Sequence, residues 1–389
     1  MGMKLRKKKA DPQGPEPFVI VAMIVKNERA NLPKLFDSAE GLVDAWAIVD
    51  TGSSDGTVEW LRAERDRTRR RWVGMVWQED PWRDDFAHSR NLSLDLADTM
   101  ALDHCPEGRE PWVIMLDGDD RVRNPRAWRE ILRDSGAVIV SANIYSPTHK
   151  GTTETVHQLR AWRAGLGLRY RFPCHSELHP IKGHTITPAP INVCINHVGY
   201  LDDEHTDANY KRTVRILRKH GEPPASDPDS LEHYHYYLSR ASLMLGDWPS
   251  AEHHAMQACR LWVERGTVGQ SPPEPWIILA KYHLRHPFDE SVDPFGMRAF
   301  SEGLRRLVAA ASGGNDNPDI WFHILQLAAL GYQTSSLMVG LGANPRVQQA
   351  TTTWAHEIIK ALAPTPIYGK GMVTPEQLKA LRQLEKRGG

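Results

Sequence analysis

From residue 18 to about 135 the chain alternates short, unbroken apolar runs with stretches of mixed polarity. The runs at 18–25, 45–49, 72–77 and 112–116 predict strands buried on both faces. The stretches between them predict helices. One is capped by Asn31 with Pro33 in its first turn, where proline is tolerated. A second opens at Ser54 or Asp55 and runs through 58–61. A third spans 86–100, with Leu92, Leu94 and Leu96 mixing its faces, and a fourth, 126–132, opens at Asn124-Pro125. Strand–helix alternation of this kind predicts an α/β domain with a mostly parallel sheet covered on both faces. From 137 to 200 the pattern changes: runs at 137–144, 158–162, 168–172 and 191–195 read as strands with no helices between them, an antiparallel extension of the same domain.

Beyond Asp202 the pattern is helical. Residues 234–258 resemble a tetratricopeptide repeat, with Leu238, Ala241 and Leu245 lining one helix, Gly246-Asp247-Trp248 turning, and Ala251, Ala255 and Ala258 facing back from the next. Degenerate second and third units are expected at 275–307 and 318–330, and the last helix opens at a capping box, Thr374-Pro375-Glu376-Gln377. His233, His235, His253 and His254 are expected on the surface of the first unit. The expected division is a disordered basic leader at 1–16, an α/β domain at 17–204 and an all-α helical-repeat domain at 205–389.

Composition narrows the classes. At ~150 residues per domain, 389 residues suggest two or three. Lys plus Arg and Asp plus Glu both total 48, so no global field draws the chain to nucleic acid or membrane. The basic stretch from Lys4 to Lys9 has no apolar segment directly behind it and reads as a solvated tail rather than a secretion signal. The apolar run at 18–25 is far short of the ~20 residues that cross a bilayer, so no transmembrane segment is expected. Cys105, Cys174, Cys194 and Cys259 are scattered without CxxC spacing, which points to a reducing, cytoplasmic compartment.

The chemistry gathers at the ends of the predicted strands. The run from Trp112 to Asp120 delivers three carboxylates, Asp117, Asp119 and Asp120, where a parallel sheet opens its ligand crevice. Carboxylates this close repel unless a cation sits among them, and a hard divalent metal that also grips phosphate is the simplest reason for them; an acidic turn is the alternative, since Asp-Gly is a turn dipeptide. Lys26 and Glu28 stand at the end of the first strand, as ligand contacts or as a solvated ion pair. Asp50 ends the second strand, and Gly52, Ser53, Ser54, Asp55 and Gly56 make a tight turn into a helix start that can face phosphate. Arg90 can bind a phosphate or pair with Asp84 or Asp85. Arg62 to Arg71 reads as a solvated helix face because Glu59, Glu64 and Asp66 lie in or beside it.

In order, Lys26-Asn27-Glu28, the Asp50–Thr57 turn, Phe86-Ala87-His88-Ser89-Arg90-Asn91 and Asp117-Gly118-Asp119 resemble the four colinear motifs of inverting family 2 glycosyltransferases of the GT-A fold. The likeness covers roughly 17–200, and helical repeats behind such a domain are similar to some bacterial members, including enzymes that glycosylate peptides. It implies a GT-A, Rossmann-like mixed sheet that binds a nucleotide sugar, with a UDP-sugar as donor and Mn²⁺ or Mg²⁺ as cofactor. The acceptor it implies is a glycan, lipid-linked glycan, peptide or modified nucleic-acid base, with a protein partner on the repeats. Carried over, Asp50 contacts the base or ribose, Lys26, Glu28 and Asp55 shape that pocket, Arg90 steadies the diphosphate, Asp117 faces ribose and metal, and Asp119 ligates the metal. The segment Phe172 to His179 resembles the family's His-Glu element with Ser176 inserted, which makes Glu177 the first candidate for general base and His175 the second. His175, Glu177 and His179 on alternate residues also suit zinc if all face one way, but no fourth ligand lies nearby in sequence. His197, in a His-x-Gly-Tyr element, is a third metal ligand, a phosphate contact or a core histidine. Two departures stand out: Asp120 where the family often has Glu, whose role is open, and His88 where a small or acidic residue is common. A helical-repeat scaffold with an inactive transferase-like domain is the alternative function. A nucleotidyltransferase is disfavoured because Ile24-Val25 leads into Lys26-Asn27-Glu28 and not a Gly-rich, Arg-bearing loop.

Overall fold

A computed structural model describes residues 14–67, 74–134, 136–147, 153–180, 183–199 and 204–267, with short pieces at 271–272, 274–276 and 278–279. The chain forms two compact units, Met1–His220 and Gly221–Gly389. In the first, β1 (Pro17–Val25), α1 (Leu32–Ser38), β2 (Ala45–Asp50), α2 (Thr57–Arg67), β3 (Gly74–Glu79), α3 (Phe86–His104) and β4 (Glu110–Met115) follow the predicted alternation. Then come β5 (Asp120–Arg123), α4 (Pro125–Asp134), β6 (Ile139–Pro147), β7 (Thr153–Arg163), β8 (Arg169–Arg171), β9 (Glu177–His179), β10 (Ile186–Pro188), β11 (Cys194–His197) and α5 (Glu204–His220). The compact unit thus runs through α5.

The main sheet has the order β3-β2-β1-β4-β7-β6-β11-β5, with β10 also on β6. β3, β2, β1 and β4 are mutually parallel. β7 runs antiparallel to both β4 and β6. The expected antiparallel extension is in fact mixed, because β10 and β11 run parallel to β6 while β5 runs antiparallel to β11. The strand expected at 191–195 begins only at Cys194: a turn donates the Val193 N–H to the Pro190 carbonyl at 2.8 Å and leaves Ile191 exposed.

Period-two alternation in β1 splits the core. Val19, Val21, Met23 and Val25 pack with Leu35 and Phe36 of α1 and Trp128 and Leu132 of α4. Phe18, Ile20 and Ala22 pack with Leu94, Ala97 and Met100 of α3. Phe36 stacks on Trp46 with ring centroids 3.8 Å apart. At the amino-terminal edge the Asp44 carboxylate accepts from the Val19 N–H at 2.9 Å and pairs with Arg109 at 3.0 Å and Arg129 at 2.9 Å. That clamp leaves the carboxyl-terminal edge for the site.

In the second unit α6 (Pro228–Met244) and α7 (Trp248–Glu264) form a helical hairpin. Leu238, Ala241, Ala251, Ala255 and Ala258 are buried as the repeat-like spacing predicts, while Leu245 is only half-buried at the helix end. Gly246 (φ 75°) makes the turn, a conformation that costs glycine nothing. His233 and His235 do not lie on the surface: both are buried, and His235 Nδ1 sits 2.9 Å from His254 Nδ1. The expected second and third units, the last helix and most of the leader lie outside the described residues. Among the described residues no helix is long and apolar enough to cross a membrane.

The end of α5 gathers on Asp84. Asp84, in the left-handed region at φ 61°, accepts from Lys219 at 2.8 Å, Arg215 at 2.7 Å and the Trp82 indole at 2.8 Å. The Lys219 bond leads in holding its carboxyl below the ordinary 3.8, against the opposing effect of burial, and Trp82 and Arg215 add to it. A depressed carboxyl contributes stability that is complete above its unfolded value and lost as pH falls through the folded one. Asp84→Asn, which keeps the backbone preference, is expected to cost about 1 kcal/mol at neutral pH, in the range of exposed ion pairs. Calorimetric melting should show the gap to wild type closing below pH 3.8; a gap that persists in acid would remove charge as the cause.

Candidate active site

Three loops meet at the carboxyl-terminal ends of β1, β2 and β4. The first two are zipped together by side-chain-to-backbone bonds. The Asn27 N–H donates to Ser53 Oγ at 2.8 Å, and Asn27 Oδ1 accepts from the Ser54 N–H at 2.8 Å. The Glu28 N–H reaches Thr57 Oγ1 at 2.9 Å, and the Arg29 N–H reaches Asp55 Oδ2 at 3.0 Å. Asn27 adopts φ 58°, which asparagine tolerates better than most residues. Asp55 also accepts from the Thr57 N–H and hydroxyl, so its carboxylate braces the start of α2. Lys26 is exposed at the end of β1.

Asp50 is buried, with Oδ1 accepting from the Gly52 and Ser53 N–H groups at 3.0 and 2.9 Å. Its Oδ2 is buried without a hydrogen-bond partner among the described residues. A buried acceptor left unmade costs roughly 1–3 kcal/mol, a cost that a ligand N–H or O–H would remove.

The acidic loop after β4 is the electrostatic centre. Asp120 is fully buried: Oδ2 accepts from the Asp117 N–H at 2.9 Å and lies 3.4 Å from Arg160, and Oδ1 lies 3.0 Å from His197 Nδ1. Register explains the His197 contact, since β11 pairs with β5 so that His197 stands opposite Asp120. Arg160, on β7, also donates to the Met115 carbonyl at 3.2 Å and to Asp117 Oδ2 at 3.3 Å. The β4–β7 ladder pairs Trp112, Val113 and Ile114, and the guanidinium takes the carbonyl of the next residue. Arg90 approaches Asp117 Oδ1 from the other side at 3.6 Å.

These surroundings drive neighbouring carboxyls in opposite directions. Burial pushes Asp117 up, but Arg160, Arg90 and His197 outweigh it and hold it at about 2. Asp119 is raised, first by burial and then by Asp117 and Asp120, with only His197 pulling strongly the other way. Glu28 is raised by burial and by the facing Asp119 and Asp117, against the Asn31 amide that donates to it at 2.9 Å. Burial would lower His197, yet its bond to Asp120 and the charges of Asp119, Asp120 and Asp117 raise it.

Asp117, Asp120 and His197 can each bring one ligand atom within 4.8 Å of the others, the one such group among the described residues. Asp119 borders it, 3.3 Å from His197 Nδ1. An oxygen-rich set with one imidazole suits a hard divalent cation, and the raised Asp119 carboxyl marks where positive charge is still short. The residues fit the metal that the motif implies. Two glycines make room: a Cβ on Gly118 would lie 2.6 Å from Glu28 Cγ, and one on Gly199 would lie 2.1 Å from Asp119 Oδ2.

The Phe86–Asn91 segment opens α3, with Asp85 capping by accepting from the His88 N–H. Arg90 lies over the rings of Phe86 and Tyr170 and donates to Ser176 Oγ at 2.6 Å. Asn91 holds β8 by exchanging two bonds with the Tyr170 backbone, at 2.9 and 2.7 Å. His88, the departure from the family pattern, pairs with the buried Asp80 at 3.1 Å. The base candidates sit on the adjoining loop. His175 (φ 48°) contacts Thr213 of α5 at 3.3 Å, whereas Glu177 is exposed beside Ser176 with His179 3.5 Å away. Arg160 and Tyr170 belong to the site although no motif marks them, and Arg121 joins them by donating to Asn31 Oδ1 at 2.9 Å. A lone arginine inside the apolar stretch Leu159–Trp162 was the signal for the first.

No family model matches the chain. The TPR repeat-containing protein Synpcc7942_0270 of Synechococcus elongatus is 24% identical over 279 residues, which is 68% of this chain and 60% of that protein. The chain therefore spans less than two-thirds of the relative. Among solved structures it is similar to the mannosyltransferase PcManGT of Pyrobaculum calidifontis in complex with GDP-Man and Mn²⁺ (17% identity, TM-score 0.37, 92% of this chain and 90% of that one). It is also similar to S. aureus TarS 1-349 (12% identity, TM-score 0.35, 77% and 92%).

Arg160→Met should leave the buried Asp120 and the half-buried Asp117 without their shared guanidinium and cost about 3 kcal/mol at neutral pH. Asp117 contributes stability above 3.8 that is lost as pH falls toward about 2. Denaturant melts should therefore show the variant's deficit shrinking across that window; a deficit independent of pH would assign it to packing.

Proposed function

We propose that the first unit is a metal-dependent inverting glycosyltransferase of family 2, moving a hexose from a nucleotide-diphosphate sugar, a UDP-sugar first, to an acceptor hydroxyl or amide. The observation that carries this reading is the orphaned Asp50 Oδ2 at the end of β2, on the same sheet edge as the acidic loop after β4. Asp50 accepts from the base or ribose. Arg90, braced by Ser176 and two rings, steadies the diphosphate. Asp117, Asp119 and His197 hold Mn²⁺ or Mg²⁺, which when bound neutralises charge on the departing diphosphate. Glu177, solvent-facing and next to Ser176, removes the acceptor's proton, with His175 as second choice. Lys26, Glu28 and Asp55 shape the nucleotide pocket, Asp55 by bracing α2. The helical unit selects a glycan, lipid-linked glycan, peptide or nucleic-acid acceptor, or binds a protein partner.

The test is hydrolysis of a panel of UDP- and GDP-sugars by the purified protein with Mn²⁺ or Mg²⁺, followed by transfer assays. Asp119→Ala should keep its melting temperature and lose at least a hundredfold in turnover. Glu177→Gln should lose transfer while nucleotide binding, read by calorimetry, persists; full activity there moves the base to His175. Silence with every donor and metal would favour a non-catalytic scaffold.

A further inference from the structure

Resting on the metal reading above, we infer that Asp120 is not a ligand but a positioning residue: it fixes the proton of His197 on Nδ1, so that Nε2 is the atom offered to the cation beside Asp119. The carboxylate of Asp120 is already committed. Oδ2 receives the Asp117 N–H at 2.9 Å and faces Arg160 at 3.4 Å, and Oδ1 lies 3.0 Å from His197 Nδ1. A metal on Oδ2 would compete with both of its donors, and one on Oδ1 would have to share that oxygen with the His197 N–H inside a fully buried site. An ionised carboxylate accepts only, so Nδ1 carries the hydrogen. The far side of the ring supports the assignment. A Cβ on Gly199 would stand 3.2 Å from His197 Nε2 and 2.1 Å from Asp119 Oδ2, so both atoms border the space that this glycine keeps open. A histidine held through one nitrogen by a carboxylate, with the other turned to a metal, is a recurrent way to fix tautomer and ring orientation. Both aspartates approach His197 Nδ1, Asp120 Oδ1 at 3.0 Å and Asp119 Oδ1 at 3.3 Å, but the second oxygen of Asp120 faces inward to the Asp117 N–H and Arg160, while that of Asp119 borders Gly199.

Asp120→Asn is the discriminating change because asparagine offers one acceptor where aspartate offers two. Its oxygen is claimed by the Asp117 N–H and Arg160, which turns the amide N–H toward His197 Nδ1. That nitrogen must then accept, and the hydrogen moves to Nε2. Substituting the orienting aspartate of a Ser-His-Asp triad with asparagine spoils catalysis through the wrong tautomer with little change in geometry. In the full chain, Mn²⁺ titration followed by electron paramagnetic resonance should give a Kd roughly 10–100-fold weaker for Asp120→Asn. Spectra of ¹⁵N-histidine-labelled protein without metal should move one imidazole from the Nδ1–H to the Nε2–H pattern, a signal absent in His197→Gln. His197→Gln should weaken Mn²⁺ by a similar factor, and the double variant should lose little more. An unchanged Kd and tautomer in Asp120→Asn, while Asp119→Ala loses the ion, overturns the inference and leaves the transferase reading intact. A large loss in Asp120→Asn with none in His197→Gln makes Asp120 a ligand and overturns it equally. If the wild-type chain fails to bind Mn²⁺ even with UDP present, the metal reading itself fails.

Discussion

The buried guanidinium of Arg160 is the contact on which the acidic loop depends. Three carboxylates within four residues repel, and Asp120 has no access to water. At an effective dielectric near 20 a charge pair a few ångströms apart gains about 4 kcal/mol. Burying each ion costs several kcal/mol, so the pairing comes close to balance and adds little net stability. What it supplies is position. Arg160 reaches Asp117 and Asp120 at 3.3 and 3.4 Å and takes the Met115 carbonyl as β4 ends. It holds the loop folded back against β7 when no external cation does so.

The parallel half of the sheet makes this useful. β1, β2 and β4 run the same way, so their carboxyl ends bring Lys26–Glu28, Asp50–Thr57 and Asp117–Asp120 to one edge. The first two loops lock each other through Asn27, Ser53, Asp55 and Thr57. Their side chains therefore start from strands rather than from independent loops, which limits how far they can stray. The opposite edge is tied by Asp44, Arg109 and Arg129.

Much of this was legible along the chain because it is local. Unbroken apolar runs fall on β1, β2 and β4, and the acidic residues that follow them are read directly. What was missed depends on partners far apart. Arg160 meets Asp117 across 43 positions, and only the antiparallel pairing of β4 with β7 brings them together. Asn31 does stand at the helix start, yet its side chain makes no capping bond; it serves Glu28 and Arg121 instead. The direction of β11 was hidden too, because an apolar run fixes a strand but not the sense of its pairing. His233 and His235 carry polar rings that read as surface, but both are buried although they leave α6 on different sides.

Asp117 and Asp119 show how one loop assigns separate roles to like groups. Both are aspartates two residues apart, and burial lifts both. Asp117 has two arginines of the protein itself to answer its charge, and its carboxyl falls to about 2. Asp119 is answered by the His197 imidazole and by the charge of Arg121, but burial and two neighbouring carboxylates outweigh them and it rises. In the proposed metal site, Asp119 is the carboxyl less answered by the protein's own cations and so the one with more to gain from a divalent ion. The protein's own cations thus set the proton affinities of two like carboxyls apart, a division made by environment rather than by residue type.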